Sequence, residues 1–571
     1  MKEQALGISD YKKIIENKYS YIDKTLLIQE LSFNAEVSVI PRPRRFGKTT
    51  NLSMLYYFFS NREEDNTHLF QEYKIWNPDC LDRLGRSCQS LMGQFPVIFM
   101  TLKGINQDNW EDAYKKIASC LAIEFEKHRF LLEAISSDGK PLLSDTEKAK
   151  FLSILKETSS SGHNELSLQL LILWLHRYYD KRVIFLLDEY DAPIHAAYLH
   201  GYYDKMVVFM RSFLGDGLKD NPLLEKAVIT GVLRVARESV FSGFNNATTY
   251  TILDGAFGDK FGFLEEEVES LLEEAGLSSK MPQVREWYNG YDIGGLSIYN
   301  PWSILQYLGN KTHILQPYWV NVSSNEIIKR LLWTGSRSLK RDMERLLLGQ
   351  SISKEIKEGI VFADLKSQED VVWSLFFFSG YLTLAGKAEP SEPKELKIPN
   401  REVLELYKEI AKNWLKEYLD NTEDLSDMLQ SLVTGNIPVF AKIFQMLVVN
   451  VMSFHDVPKD ISESVYHAFV LGLLVALEKT HEVKSNRESG FGRYDVCIIP
   501  KNVHELGIVI EFKKVDLEEK EDLETAVDLA LEQIREKQYV AELHSRGVAR
   551  VCTLGIAFQG KKILVKKGTE I

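Results

Sequence analysis

The sequence is poor in cysteine, with five in 571 residues. They are Cys80, Cys88, Cys120, Cys497 and Cys552. Their spacing matches no zinc-binding motif, and an odd number of scattered cysteines does not build a disulfide framework. We therefore expect reduced thiols in a cytoplasmic protein.

Long apolar runs and a signal peptide are also lacking. The most apolar stretches, 371–385 and 468–477, are too short or too interrupted to span a bilayer. Positive charge is in deficit, because 69 Lys and Arg stand against 81 Asp and Glu, for a net charge of −12. These features predict a soluble protein without a membrane segment. They disfavour a protein that coats nucleic acid or another polyanion non-specifically. They do not exclude a local basic cleft.

The length of 571 residues is too great for one hydrophobic core. It predicts about three or four domains. A composition of 45% hydrophobic and 26% charged residues is typical of a globular protein.

The segment 37–50, VSVIPRPRRFGKTT, has the order of a strand, a tight loop and a helix. An apolar, β-branched run ends at Ile40, and Gly47-Lys48-Thr49 opens a stretch with helical spacing. In a phosphate-binding loop the glycine lets the backbone approach a phosphate, and the lysine reaches the β- and γ-oxygens. The threonine hydroxyl holds Mg²⁺. The segment therefore predicts a nucleotide site at the N-terminus of this helix.

This loop departs from the GxxxxGK[ST] pattern, because Arg42 stands where the first glycine belongs. Pro41 and Pro43 also remove backbone donors. Arg42, Arg44 and Arg45 could supply positive charge instead. The alternative is a basic turn that leads into an ordinary helix, so a second, acidic motif is needed to decide.

That acidic motif is present after residues 183–187, VIFLL, a continuous apolar run. Such a run predicts a parallel strand buried on both faces, and ligands bind at the carboxyl ends of such strands. Asp188 there would hold Mg²⁺, and Glu189 would orient or deprotonate the attacking water. The alternative, a core strand that ends in surface acids, is weakened by the loop upstream. Together the two motifs predict nucleotide hydrolysis.

A further strand candidate, 227–231, ends in Thr230 and a glycine. The Thr230 hydroxyl could touch the γ-phosphate or the attacking water, and a turn or capping role is an equal alternative. Arg234 and Arg237 follow, either to neutralise transition-state charge or as surface arginines. The expected nucleotide contacts are Arg45, Gly47, Lys48, Thr49, Thr50, Asp188, Thr230 and Arg234.

The stretch 493–513 predicts a hairpin of two strands around a loop at 501–505. Counting outward from the loop places Asp495 opposite Glu511, and the period of two puts Lys513 on the same face. Opposed like charges repel each other, and a bound Mg²⁺ would remove that cost. Lys513 could then position or help activate a water that attacks a phosphodiester. The alternative is a solvent-facing hairpin with ordinary surface charges, which the apolar residues on both faces disfavour.

Asp495 and Glu511-x-Lys513 on adjacent strands, behind a helix that carries Glu463, resemble the PD-(D/E)XK nuclease superfamily. The motifs YIDKT, PRPRRFGKTT, LLDEYD, ITGVLR and NPWS, in this order, resemble the AAA-ATPase-like family of bacterial proteins. That family is often fused to such a nuclease-like domain. The ordered set of motifs is specific, although no single motif is.

The resemblance implies a set of catalytic residues in the last domain: Glu463, Asp495, Glu511, Lys513 and Gln533. For Glu463 the alternative is a favourable acid in the first turn of its helix. Gln533 matches the superfamily's helical glutamine. Tyr539 lies six residues further on, so a continuous helix would carry it on another face.

The expected fold class is α/β. It comprises a P-loop NTPase αβα sandwich at 1–310, a helical middle region at 311–455 and a restriction-endonuclease-like α/β domain at 456–571. The expected function is ATP binding and hydrolysis coupled to an Mg²⁺-dependent nuclease-like domain that acts on DNA or RNA. The rival is a nucleotide-regulated module that binds nucleic acid or protein without cutting. The sequence predicts neither the strandedness of the substrate nor the oligomeric state.

Overall fold

The computed structural model describes most of the chain. The described residues are 3–62, 65–136, 139–233, 240–241, 244–319, 337–359, 369–386, 392–418, 422–454, 470, 472–473, 475–489, 492–515 and 522–568. Two units make up the structure, Met1–Ile327 with Ser353–Val403 and Ile328–Ile352 with Leu404–Ile571. The division into three domains at 310 and 455 stays a prediction.

The regular elements are numbered in chain order. The strands are β1 (Val37–Pro41), β2 (Val97–Thr101), β3 (Val183–Asp188), β4 (Leu224–Gly231), β5 (Ala247–Thr249), β6 (Tyr291–Ile293), β7 (Leu296–Ile298), β8 (Ile352–Lys354), β9 (Thr383–Leu384), β10 (Lys394–Lys397), β11 (His481–Ser489), β12 (Gly492–Pro500), β13 (Leu506–Lys514), β14 (Arg550–Gln559) and β15 (Lys562–Lys567). The helices are α1 (Tyr11–Glu16), α2 (Leu27–Phe33), α3 (Lys48–Phe59), α4 (Trp110–Lys127), α5 (Asp145–Leu155), α6 (Ser161–Glu165), α7 (Ser167–Tyr179), α8 (Ala192–His200), α9 (Tyr203–Leu218), α10 (Glu265–Glu274), α11 (Met281–Tyr288), α12 (Pro301–Gly309), α13 (Arg337–Leu347), α14 (Glu369–Phe378), α15 (Arg401–Tyr418), α16 (Thr422–Val433), α17 (Ile437–Phe454), α18 (Leu523–Glu536) and α19 (Ala541–Ser545).

The first unit is built on a five-stranded sheet with the order β2-β3-β4-β1-β5. All four neighbouring pairs are parallel. Every residue of β1 and β3 is buried, which is typical of apolar strands in a parallel sheet covered by helices. α3, α4 and α7 pack against these strands. The predicted α/β class is confirmed.

The order of the strands brings the N-terminal motifs to one edge of this sheet. β4 lies between β1 and β3, with Pro41 opposite Gly231 and Leu187 opposite Ile229. The predicted phosphate-binding loop follows β1, the acidic residues lie at the end of β3, and Thr230 lies near the end of β4. Because parallel strands share their carboxyl edge, these side chains meet where ligands bind in such sheets.

The second unit contains a mixed five-stranded sheet with the order β11-β12-β13-β14-β15. The β13–β14 pair is parallel and the other three pairs are antiparallel. A parallel pair needs a crossover connection, and α18 supplies it and packs against β13 and β14. Residues of α16 and α17 share a hydrophobic core with the sheet. This architecture is the mixed α/β domain that we expected.

Between the two sheets the chain is mainly helical, from α13 to α17, with a short antiparallel pair of β9 and β10. Within the part of the chain that the structure describes, no helix has the length and apolarity needed to traverse a bilayer.

Candidate functional site

The predicted phosphate-binding loop, residues 41–47, connects β1 to α3. Gly47 has a φ of 83°, a left-handed conformation that favours glycine, and α3 begins at the next residue. Lys48 is buried, and its Nζ donates hydrogen bonds to Arg42 O at 3.0 Å and to Pro43 O at 2.9 Å. The loop therefore folds around the ammonium group, which adds to the positive end of the helix dipole.

Asp188 is the centre of the first site. Its Oδ2 accepts a hydrogen bond from Thr49 Oγ1 at 2.7 Å, and its Oδ1 accepts one from Thr230 Oγ1 at 2.8 Å. Asp188 is almost fully buried. The structure thus brings together three predicted residues from α3, β3 and β4. Carboxylate and hydroxyl oxygens are hard ligands that suit Mg²⁺.

Glu189 follows Asp188 in a left-handed conformation, with a φ of 52°. This conformation is uncommon for a residue other than glycine and concentrates at functional positions. Burial raises the pKa of Glu189, and Lys48 opposes that rise. Conversely, burial lowers the pKa of Lys48, and Glu189 is the largest opposing influence. A carboxylate with a raised pKa beside the loop lysine is suited to accept a proton.

The prediction that Arg42 could supply charge to the loop is wrong. Arg42 is fully buried, and its guanidinium donates to Pro41 O at 2.9 Å, Tyr250 O at 2.7 Å and Ala256 O at 3.1 Å. It also lies 5.4 Å from the ring centre of Phe261. Carbonyl groups of Pro41 and of a segment about two hundred residues away therefore bind this cation inside the protein, where its side chain has no exposed surface.

The remaining predicted nucleotide contacts are at least partly exposed or lie outside the described residues. Arg45 is exposed, and its guanidinium stacks 4.3 Å from the ring centre of Trp302. Thr50 lies in the first turn of α3 and is partly exposed. Arg234 and Arg237 lie outside the described residues, so their roles stay predictions.

Asp191 belongs to the first site, although its sequence position predicted no role for it. Its Oδ2 accepts hydrogen bonds from Val232 N and Leu233 N, both at 2.9 Å. A side chain on Gly231 would collide with Asp191 Oδ1. Asp191 thus fixes the chain after β4 against the turn after β3. The signal was present in the sequence, as a third acid in the turn that follows a buried strand.

The second site lies at the end of the hairpin formed by β12 and β13. Val496 pairs with Ile510, which is the predicted register. Beyond this pair, Asp495 Oδ2 accepts a hydrogen bond from Phe512 N at 2.8 Å, and Asp495 N donates to Glu511 Oε2 at 3.3 Å. The two acidic residues are therefore neighbours, as the count from the loop predicted.

Gln533, from α18, connects Glu511 to Lys513. Its Nε2 donates to Glu511 Oε1, and its Oε1 accepts from Lys513 Nζ at 2.6 Å. Lys513 Nζ lies 3.9 Å from Glu511 Oε1. Four of the five residues implied by the resemblance are thus assembled from β12, β13 and α18. The fifth, Glu463, lies outside the described residues.

Both carboxyl groups of the second site are costly to ionise, because burial raises their pKa. Burial raises the pKa of Glu511, and the neighbouring Asp495 raises it further. Burial also raises the pKa of Asp495, and Lys513 opposes that rise. Among the described residues no cluster of three or more His, Cys, Asp or Glu could hold a metal. Mg²⁺ is nevertheless commonly held by one or two carboxylates with water and phosphate oxygens, so this pair fits the ion.

The prediction that Tyr539 lies on another helix face is wrong. α18 ends at Glu536, and Gln538 has a φ of 52°, which turns the chain back. Tyr539 OH therefore accepts a hydrogen bond from Gln533 Nε2 at 3.2 Å. The tyrosine extends the network around Glu511 by fixing the glutamine that contacts it.

Comparisons with known proteins match the two domains that contain these candidate sites. Residues 5–241 match a family described as predicted AAA-ATPase, and residues 461–568 match the PD-(D/E)XK nuclease superfamily. The chain joins these two domains. An uncharacterised protein described by its position in the vnfD 5′ region of Azotobacter chroococcum mcd 1 is 24% identical over 571 residues. The similarity covers 98% of this chain and 96% of that protein. The resemblance inferred from the motifs is confirmed.

Proposed function

We propose that the AAA-ATPase-like domain binds ATP with Mg²⁺ and hydrolyses it. Lys48 Nζ would exchange its two carbonyl partners for β- and γ-phosphate oxygens. Thr49 and Asp188 would hold the ion, as their hydrogen bond already sets them side by side. Glu189 would orient the attacking water and accept its proton. Thr230 would fix Asp188 and contact the γ-phosphate or that water.

We also propose that the nuclease-superfamily domain cleaves nucleic acid with Mg²⁺, under control of the ATPase domain. Asp495 and Glu511 would hold the ion, which when bound polarises a phosphodiester and lowers the pKa of water. Lys513, oriented by Gln533, would neutralise charge that develops on the phosphate. Glu463 is proposed for this site on the resemblance alone.

One observation carries the proposal, namely that each site contains a buried carboxylate group near a lysine at the end of a strand, Asp188 in the first site and Glu511 in the second. Asp188 has two neutral hydroxyl partners, which satisfy its oxygens without cancelling its charge. Burial raises the pKa of both Asp495 and Glu511, and Asp495 raises that of Glu511 further. Lys513 and the hydrogen bonds to the two carboxyl groups offset this rise only in part. Buried charge without full compensation destabilises a fold, so a cation-binding role explains the arrangement better than packing does.

The full-length protein tests this proposal directly. We expect ATP turnover in Mg²⁺ buffer that EDTA reduces to background, measured by release of inorganic phosphate. We also expect Mg²⁺- or Mn²⁺-dependent cleavage of at least one labelled substrate among single- and double-stranded DNA and RNA, with and without ATP.

Two results would count against the proposal. Absence of both ATP binding and ATP turnover would refute the first part. Intact nucleic acid under every metal and nucleotide condition, with binding retained, would favour the rival, a nucleotide-regulated module that grips its partner without cutting it.

A further inference from the structure

Trp319 reaches the phosphate-binding loop from outside the segment that matches the ATPase family. Its indole Nε1 donates a hydrogen bond to Arg44 O at 3.0 Å, across 275 positions of sequence. The indole is fully buried, with the rings of Tyr291 and Tyr381 centred 6.4 and 5.1 Å away. A residue beyond the family match therefore fixes one peptide group of the loop.

The bond to Arg44 O also sets the direction of the next N–H group. In a planar trans peptide, the carbonyl and the N–H point in opposite directions. Since the indole holds the carbonyl of Arg44 on its own side, the N–H of Arg45 faces away from Trp319. The carbonyl groups of Arg42 and Pro43 have a different partner from that of Arg44, because both accept hydrogen bonds from Lys48 Nζ.

The same bond supports a backbone conformation that is costly without help. Arg45 has a φ of 68°, in the left-handed region that residues other than glycine rarely adopt. Such conformations persist only where the surrounding structure holds them. The indole bond on one side of Arg45 and the left-handed Gly47 on the other confine the loop to this shape.

Trp319 is held in turn by Glu402. Glu402 Oε1 accepts a hydrogen bond from Trp319 N at 2.6 Å, and Oε2 accepts one from Ser303 Oγ at 2.7 Å. Glu402 is fully buried, and burial raises its pKa to about 7. Bonds from one buried carboxyl group to two separate segments fix Trp319 against the start of α12.

We propose that Trp319 is a positioning residue of the ATP site, which fixes the Arg44–Arg45 peptide so that the N–H of Arg45 is available to a nucleotide phosphate. Glu402 keeps Trp319 in place. This inference rests on the proposed binding of ATP. The loop lacks the first glycine of its pattern and contains two prolines, so few backbone donors remain to bind phosphate. The hydrogen bond from Trp319 to Arg44 O orients one of these donors, the N–H of Arg45.

The variant Trp319→Phe tests the inference, because it retains an aromatic ring and removes the indole N–H. In the full-length protein we expect the KM for ATP and the Kd for Mg²⁺–ADP to rise about five- to tenfold, the effect of about one hydrogen bond. We expect kcat to change by less than about twofold, since the phosphate contact exists before and during the reaction. Steady-state kinetics and titration with a fluorescent ADP analogue measure both.

Trp373→Phe is the matched control. Trp373 is also fully buried in the first unit, but its indole N–H has no hydrogen-bond partner among the described residues. Its replacement should leave the KM for ATP unchanged. Glu402→Leu should raise the KM for ATP as Trp319→Phe does. Glu402→Gln keeps an acceptor for Trp319 N, so its KM for ATP should stay at the wild-type value. The double variant Trp319→Phe/Glu402→Leu should show no further rise, because both changes remove one interaction.

The outcomes separate this inference from the function on which it rests. A folded Trp319→Phe protein with the wild-type KM would overturn the positioning role and leave the ATP site standing. An equal rise of KM in Trp373→Phe would overturn it too, since general loosening of the unit would then explain the result. A wild-type protein that neither binds nor hydrolyses ATP would refute both.

Discussion

Replacing Lys48 with methionine should reduce the rate of ATP hydrolysis by at least about a hundredfold, the usual loss when one preorganised charge is removed from a transition state. Methionine keeps most of the apolar stem and removes only the ammonium group. In the proposed function that group meets the β- and γ-phosphates, and in the structure it donates to Arg42 O and Pro43 O. Phosphate release from the full-length protein measures the change, at ATP concentrations above the KM.

Lys226→Met, in β4 of the same unit, provides a matched control. Lys226 Nζ also donates to backbone carbonyl groups, those of Leu31 at 2.7 Å, Asn34 at 3.0 Å and Ala35 at 3.0 Å. Both variants remove a bound ammonium group and should lower the unfolding temperature to a similar extent. Only Lys48→Met should lose turnover. If Lys48→Met hydrolysed ATP as fast as the wild type, the loop would not be the catalytic phosphate site.

The features that could be predicted from the sequence are those set by local patterns. The apolar run before Asp188 predicts a buried parallel strand, because only such a strand hides both faces. The length of the hairpin loop fixes the register of β12 and β13, so the neighbouring positions of Asp495 and Glu511 follow from counting. The pairing of Thr49 with Asp188 follows more weakly, from the common edge of a parallel sheet.

The features that could not be predicted depend on contacts between distant segments. The end of α18 carries no glycine or proline signal, and Gln538 turns the chain in a left-handed conformation, so Tyr539 was assigned to the wrong face. Arg42 binds carbonyl groups more than two hundred residues away, which the loop pattern does not show. The bond from Trp319 to Arg44 O has no local signature at all, because its partners are 275 positions apart in the sequence.

Replacing Glu511 with glutamine should strongly reduce metal-dependent cleavage and preserve the fold. Glutamine keeps the shape of the side chain and one oxygen for Gln533 Nε2, but removes the charge that a hard cation needs. A metal ion contributes several kcal/mol to such a transition state, and about 1.36 kcal/mol corresponds to a factor of ten. We therefore expect the cleavage rate to fall by on the order of a thousandfold. Labelled nucleic acid in Mg²⁺ or Mn²⁺ buffer measures the rate, and a mobility shift measures the binding that should remain.

The matched control is Glu542→Gln in the same domain. Glu542 Oε1 accepts from the buried Lys484 Nζ at 2.5 Å, so its neutralisation breaks an ion pair and should lower the unfolding temperature without slowing cleavage. Glu511→Gln should not lower that temperature in metal-free buffer, because it removes repulsion between the buried Glu511 and the partly buried Asp495. Without nucleotide, Mg²⁺ should stabilise the wild type and Glu542→Gln but not Glu511→Gln, since a ligand stabilises only the state that binds it. Cleavage at the wild-type rate by Glu511→Gln, with an intact Mg²⁺ effect, would show that this carboxylate belongs to the packing of the sheet and not to a metal site.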